Sequence, residues 1–128
     1  MTARPGFITL ITILIIAAVA TATATTLLLL GVASTRSSFA EQQSVQARAL
    51  AYACAEEALQ QVRDNPAFSG GATLPLGSGT CTYNVQVLAG ENRTVTVSGT
   101  VGTVVRKAQI SVTAINPTIT VSTWQEVP

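Results

Sequence analysis

The chain has 128 residues, enough for one domain, and 10% of them are charged, against roughly 25% in a typical soluble domain. Its net charge is +1 without a basic cluster, and it contains no histidine, the commonest general base and metal ligand. We therefore predict a protein that binds no nucleic acid, holds no metal or other cofactor, and is not an enzyme.

The first predicted element is the apolar segment 7–32, which contains no charge and no proline. A helix of this length is about 39 Å long, more than the roughly 30 Å hydrocarbon core of a bilayer, so it can span a membrane. The alternative is a secretory signal cleaved at Ala20-Thr21-Ala22 or Ala22-Thr23-Ala24. The apolar run is longer than the roughly 7 to 15 residues of a signal core, which favours a retained membrane helix.

Helical character continues from about Thr35 to Arg63 as an amphipathic pattern. Small or apolar residues share one face of this helix, at Ala40, Ala47, Ala51, Cys54, Ala58 and Val62. Between the two segments only Gly31 weakens a helix, so we predict one continuous helix of about 55 residues. It should end at Asp64-Asn65-Pro66, because proline disfavours helical backbone in the residue before it and has no N–H donor.

The remainder of the chain predicts a small sheet. Residues 66–80 read as a loop rich in glycine and serine, and strand patterns follow at 81–88, 94–101, 103–115 and 118–124. Their short connections favour an antiparallel meander, whose apolar face must pack on the amphipathic half of the helix. The predicted fold class is therefore α+β, a long N-terminal helix on a small antiparallel sheet, with Trp124 covering the apolar layer between them.

Cys54 and Cys81 are the only cysteines, too few for a structural zinc site. They are either two buried thiols or one disulfide that ties the helix to the first main strand. Cys54 lies on the helix face that should meet the sheet, and export to an oxidising compartment would favour the bridge. We predict the disulfide, which would stabilise the sheet-bearing part of the chain by about 3 to 4 kcal/mol.

The N-terminal half of the chain resembles type IV pilins and type II secretion pseudopilins. Gly6-Phe7 precedes an apolar run that continues without a break into an amphipathic helix, as in the class III signal of these proteins. The stretch Ala49-Leu50-Ala51-Tyr52-Ala53-Cys54-Ala55-Glu56-Glu57-Ala58-Leu59 resembles the N-terminal region of PilX-type minor pilins. The resemblance covers residues 4–63.

The resemblance implies that a prepilin peptidase cleaves between Gly6 and Phe7 and methylates the new N-terminus. The parts of the chain would be a leader (1–6), a transmembrane and filament-core helix (7–32), an amphipathic helix half (33–65), a loop (66–80) and a sheet head (81–128). The implied partners are other pilin subunits, bound through the N-terminal helix, the prepilin peptidase and the inner-membrane assembly machinery. The protein would be a single-pass protein of the cytoplasmic membrane before assembly and part of a cell-surface filament afterwards.

One position departs from the pattern of the major subunits. Major pilins carry a glutamate at the fifth mature position, where it can pair with a neighbouring subunit's N-terminal ammonium in the apolar core. The corresponding residue here is Ile11. We therefore expect a minor structural subunit of a type IV pilus or related filament. The alternative is a single-pass, membrane-anchored extracytoplasmic module whose sheet binds a ligand or a surface.

Overall fold

A computed structural model describes residues 5–128. One α-helix, α1, runs over Pro5–Asp64. The strands are β1 (Gly70–Leu76), β2 (Gly79–Val87), β3 (Arg93–Val101), β4 (Val104–Ala114) and β5 (Thr120–Val127). They form one antiparallel sheet in the order β1-β2-β3-β4-β5. The fold is the predicted α+β class, a long N-terminal helix packed on a small antiparallel sheet.

The chain divides into two compact units, one ending at Phe39 and the other spanning Ala40–Pro128. In the first unit every residue from Gly6 to Phe39 is helical and exposed. The helix continues through Gly31, as predicted, and ends at Asp64, immediately before Asn65-Pro66. Residues 1–4 of the predicted leader lie outside the described residues.

The second unit has a core of small side chains between the C-terminal part of α1 and one face of the sheet. From the helix it buries Ala47, Ala51, Cys54, Ala55, Ala58 and Val62. From the sheet it buries Cys81, Tyr83, Val85, Val95, Val97, Val101, Ala108, Ile110 and Val112. The alternation predicted for the strands is confirmed at Tyr83, Val85, Val95, Val97, Ala108, Ile110 and Val112. Val87, predicted on the same face of β2, is instead 46% exposed at the end of that strand. Ala40, predicted on the same helix face, is instead exposed, because it precedes the first buried position by two turns and the sheet does not cover it.

Residues 66–80, predicted as a loop, contain the strand β1. Its glycines and Pro75 are poor strand residues, yet all of its residues are paired with β2. Proline is tolerated because β1 is an edge strand. Gly71 is required there, because a Cβ at this position would collide with the backbone of Tyr83 in β2. Tertiary pairing therefore overrides the local preference of this segment.

Contrary to the prediction, Trp124 does not cover the apolar layer between the helix and the sheet, because 41% of its surface is exposed. It lies on the edge strand β5, where its ring packs edge-on against Tyr52 of α1 with the ring centroids 5.4 Å apart. The neighbouring Glu126 is paired with Arg48 of the helix. These contacts close the side of the core rather than its centre.

Candidate functional site

The strongest functional feature is the apolar segment of α1. Its large side chains are uncovered within the chain, with exposed fractions of 62% at Leu10, 67% at Ile13 and 72% at Leu29. Helix α1 is long and apolar enough in this part to cross a membrane. Exposure of apolar surface to water is unfavourable by a free energy of about 25 cal/mol per Å². It therefore requires lipid or other protein surface around it.

The threonines of this segment are compatible with an apolar environment. Thr12 donates to the Ile8 carbonyl at 2.8 Å, and Thr26 donates to the Ala22 carbonyl at 2.8 Å. Thr21, Thr23 and Thr25 make the same kind of bond to carbonyls three or four residues earlier. A hydroxyl that donates to a backbone carbonyl of its own helix does not present an unpaired hydrogen-bond donor to lipid. These residues therefore do not argue against membrane insertion.

The proposed processing residues Gly6 and Phe7 both lie in the first turns of α1. Phe7 is 66% exposed, and a Cβ added at Gly6 would meet no atom within 4 Å. Ile11 is 41% exposed on the same helical segment. The segment therefore offers an uncharged, accessible surface from Phe7 onward.

The predicted disulfide is present. Cys54 of α1 is bonded to Cys81 of β2, with their Cα atoms 6.0 Å apart, and both residues are buried. The bond joins residues that are 27 positions apart in the chain. It fastens the helix to the second strand of the sheet. A disulfide together with a long apolar N-terminal helix fits a membrane-anchored extracellular module.

The helix and the sheet approach each other closely at Gly99 of β3. A Cβ added there would lie 2.6 Å from the Ala51 backbone nitrogen and still closer to the Ala47 carbonyl oxygen. Glycine at position 99 and alanines on the facing helix turn therefore allow the two backbones to touch. The helical periodicity predicts the position of the alanines, but no local pattern in the sequence indicates the role of Gly99.

Arg93 is the one buried charged residue within residues 5–128, and no sequence pattern indicates its burial. Its guanidinium donates to the carbonyl oxygens of Gly90 at 2.9 Å, Asn92 at 2.8 Å and Pro66 at 2.7 Å. The Pro66 bond ties the loop after α1 to the β2–β3 turn. Its Nε has no hydrogen-bond partner among the described residues. Three backbone carbonyl oxygens therefore accept the hydrogen bonds of this buried guanidinium.

The adjacent Glu91 ties a third loop to the same end of the unit. Its Oε2 accepts from the backbone nitrogen of Ile115 at 3.0 Å and from that of Asn116 at 3.5 Å. These backbone donors hold the pKa of Glu91 below its usual value. Glu126 also has a lowered pKa, because Arg48 donates to its carboxylate.

We expect acid to destabilise the second unit. A carboxyl whose pKa is lower in the folded chain contributes stability that is present above its unfolded pKa and is lost as pH falls through the folded value. For Glu91 the loss should therefore begin below about pH 4.5, its ordinary pKa. The urea midpoint, measured between pH 3 and pH 7 in detergent micelles, should fall with acid, and Glu91→Gln should flatten this fall.

The control for this experiment is Glu41→Gln, which makes the same charge change at an exposed helix position. It should leave the slope of the midpoint against pH unchanged. An equal flattening in both variants would show that net charge, rather than the Glu91 contacts, sets the acid sensitivity.

No group of three or more metal-ligating side chains occurs within residues 5–128. A groove of about 320 Å³ lies beside β5, lined by Glu56, Leu59, Gln60, Arg63, Ile119 and Val121. Its lining combines charged, amide and apolar side chains.

Comparisons with known proteins assign neither a family nor a function to the chain. Neither a protein-family model, nor a curated protein, nor a solved structure matches the chain. The features that bear on function are therefore the apolar segment, the disulfide and the residues around Gly6.

Proposed function

We propose that this protein is a minor structural subunit of a type IV pilus or a related filament. It would be inserted in the membrane as a prepilin and later assembled through its apolar helix. The observation that carries the proposal is the uncovered apolar segment that begins directly after Gly6 and continues as one helix into the disulfide-braced unit. An apolar helix that leaves the bilayer must find other apolar surface, and equivalent helices would supply it.

The proposed role is structural and extracytoplasmic. Other subunits would pack on residues 7–32, while a prepilin peptidase and the inner-membrane assembly machinery would act before assembly. Ile11 supports a minor rather than a major subunit, because an apolar side chain there cannot pair with a neighbouring N-terminal ammonium.

Processing at Gly6 is the first test of the proposal. Mass spectrometry of the protein from its native membrane should find Phe7 as the N-terminal residue, with a methyl group on its nitrogen. Gly6→Val should leave the precursor uncleaved, because a bulkier residue no longer fits the peptidase. Retention of Met1 would indicate a simple membrane anchor, and an N-terminus near Ala24 would indicate a secreted protein.

Gly31→Val is the matched control for the processing experiment, because it makes the same change within the same helix. A Cβ meets no atom within 4 Å at Gly31 or at Gly6. Gly31→Val should therefore be processed like the wild type. Loss of cleavage in both variants would mean that glycine substitutions in the helix impair insertion, not recognition.

The second candidate function is a permanently anchored single-pass module, which the apolar helix and the disulfide also fit. Fractionation separates the two functions. A filament subunit should be present in material sheared from the cell surface, whereas an anchored module should remain in the membrane fraction.

A further inference from the structure

Two asparagines in the chain are followed two positions later by a hydroxyl residue, in Asn92-Arg93-Thr94 and Asn116-Pro117-Thr118. The pattern Asn-x-Ser/Thr is the acceptor sequence for an N-linked glycan, provided that the middle residue is not proline. Asn92 meets this condition, and Asn116 does not. A pattern this short also arises by chance, so the structure around Asn92 decides whether a glycan can be attached there.

Asn92 lies in the surface turn between β2 and β3. The turn is closed by a hydrogen bond from the Leu88 nitrogen to the Asn92 carbonyl at 3.0 Å, and every residue from 86 to 92 is exposed. The side-chain nitrogen of Asn92 donates to the Ala89 carbonyl at 3.0 Å. A side-chain amide has two N–H donors, so the second one remains free. The nitrogen that a glycan would occupy is therefore accessible.

The middle residue of the pattern anchors the two outer ones. Arg93 begins β3 and is buried, and its guanidinium donates to the carbonyl oxygens of Gly90 and Asn92. Successive side chains of a strand point to opposite faces, so Thr94 lies on the face away from α1, where it is half-exposed. The Thr94 hydroxyl makes no hydrogen bond to any residue within 5–128. The amide and the hydroxyl of the acceptor pattern are therefore both presented outside the core.

We propose that Asn92 is the acceptor of an N-linked glycan. The donor is an oligosaccharide joined through its C1 carbon to the diphosphate of a membrane lipid. The Asn92 side-chain nitrogen forms a bond to C1, the bond between C1 and the diphosphate oxygen breaks, and one amide proton is released. The lipid diphosphate leaves with the electron pair of the broken bond. The product amide keeps one N–H, which suffices for the hydrogen bond to Ala89.

Asn116 is an internal control for this proposal. Like Asn92, it is an exposed residue in a loop that connects two strands. Pro117 follows it, and proline fixes the backbone and removes the N–H at the middle position of the pattern. If exposure and the outer two residues sufficed, both asparagines would be modified. We expect a glycan at Asn92 alone.

The inference rests on the extracytoplasmic location of the unit Ala40–Pro128, which both candidate functions share, and not on assembly into a filament. The two proposals therefore fail separately. An unmodified Asn92 in a chain that begins at Phe7 would overturn the glycan and leave the filament role intact. A glycan on Asn92 in a chain that retains Met1 would support the glycan and favour the anchored module.

The test is mass spectrometry of the full chain purified from its native membrane. Cleavage after glutamate releases the peptide 92–126, since Glu91 and Glu126 flank a stretch without acidic residues. This peptide contains both Asn92 and Asn116, and we expect it to carry the mass of one glycan, which fragmentation places on Asn92. An unmodified peptide, or a glycan on Asn116 or on a hydroxyl side chain instead, would overturn the proposal.

Variants of Thr94 test the acceptor pattern without changing the modified residue. Thr94→Val removes the hydroxyl and keeps the shape of the side chain, so it should abolish the modification, whereas Thr94→Ser should retain it. Thr96→Val is the matched control, because it makes the same change two residues further along the same face of β3. It should leave the glycan in place. Retention of the glycan in Thr94→Val, or its loss in Thr96→Val at an unchanged melting temperature, would contradict recognition of this pattern.

Discussion

Gly99→Ala should destabilise the unit Ala40–Pro128 by about 3 kcal/mol, the upper part of the usual range for overpacking. The reason is that the added methyl group would lie 2.6 Å from the Ala51 backbone nitrogen and closer still to the Ala47 carbonyl. Both are backbone atoms of a helix, so they cannot rotate away as a side chain would. To relieve the clash, the helix would have to move away from the sheet. This movement would weaken the packing of the buried alanines that face the sheet.

The measurement is the urea midpoint of the full chain in detergent micelles. Susceptibility of the unit Ala40–Pro128 to proteolysis reports its unfolding. Gly31→Ala is the control, because the same change at that glycine meets no atom within 4 Å. It should not reduce stability, since alanine favours helix over glycine by about 1 kcal/mol. A Gly99→Ala midpoint equal to that of the wild type would contradict a close approach of the helix and the sheet at this position.

Removal of the disulfide should have an effect of similar size. The double substitution Cys54→Ala and Cys81→Ala should lower the free energy of unfolding by about 3 to 4 kcal/mol, because the unfolded chain regains the freedom of a long loop. This is a large share of the roughly 5 to 15 kcal/mol that stabilises a typical domain. The core cannot easily compensate, since its helix side consists mainly of alanine.

Reducing agent provides the internal control for the disulfide. Dithiothreitol should lower the urea midpoint of the wild type toward that of the double variant and leave the double variant unchanged. A wild-type midpoint insensitive to reduction, in protein shown by mass to be reduced, would contradict a stabilising role. The single variants Cys54→Ala and Cys81→Ala should each match the double variant, because either one removes the bond.

Much of the fold could be predicted because its signals are local. The period of the apolar residues marked the helix, and alternation in β3 and β4 marked Val95, Val97, Ile110 and Val112 as core. Cys54 could be placed on the inward helix face by the same periodicity. Each of these predictions needed only neighbouring residues and the geometry of one element.

The missed features depend on contacts between distant parts of the chain. Gly99 faces a helix turn about 50 residues earlier, and nothing in its own strand indicates that approach. The strand β1 forms because β2 supplies partners for a segment of poor strand residues. A charged residue such as Arg93 is ordinarily placed on the surface, and only the carbonyls of two loops make its burial possible.

The two edges of the sheet differ in how they would behave in a concentrated solution. Pro75 in β1 has no N–H, so that edge is a poor template for a further strand. The other edge, β5, has eight exposed or half-exposed residues, no proline and a single charge, which is already paired with Arg48. Strand addition and aggregation during refolding or storage should therefore begin at β5, because only the β1 edge of the sheet is protected.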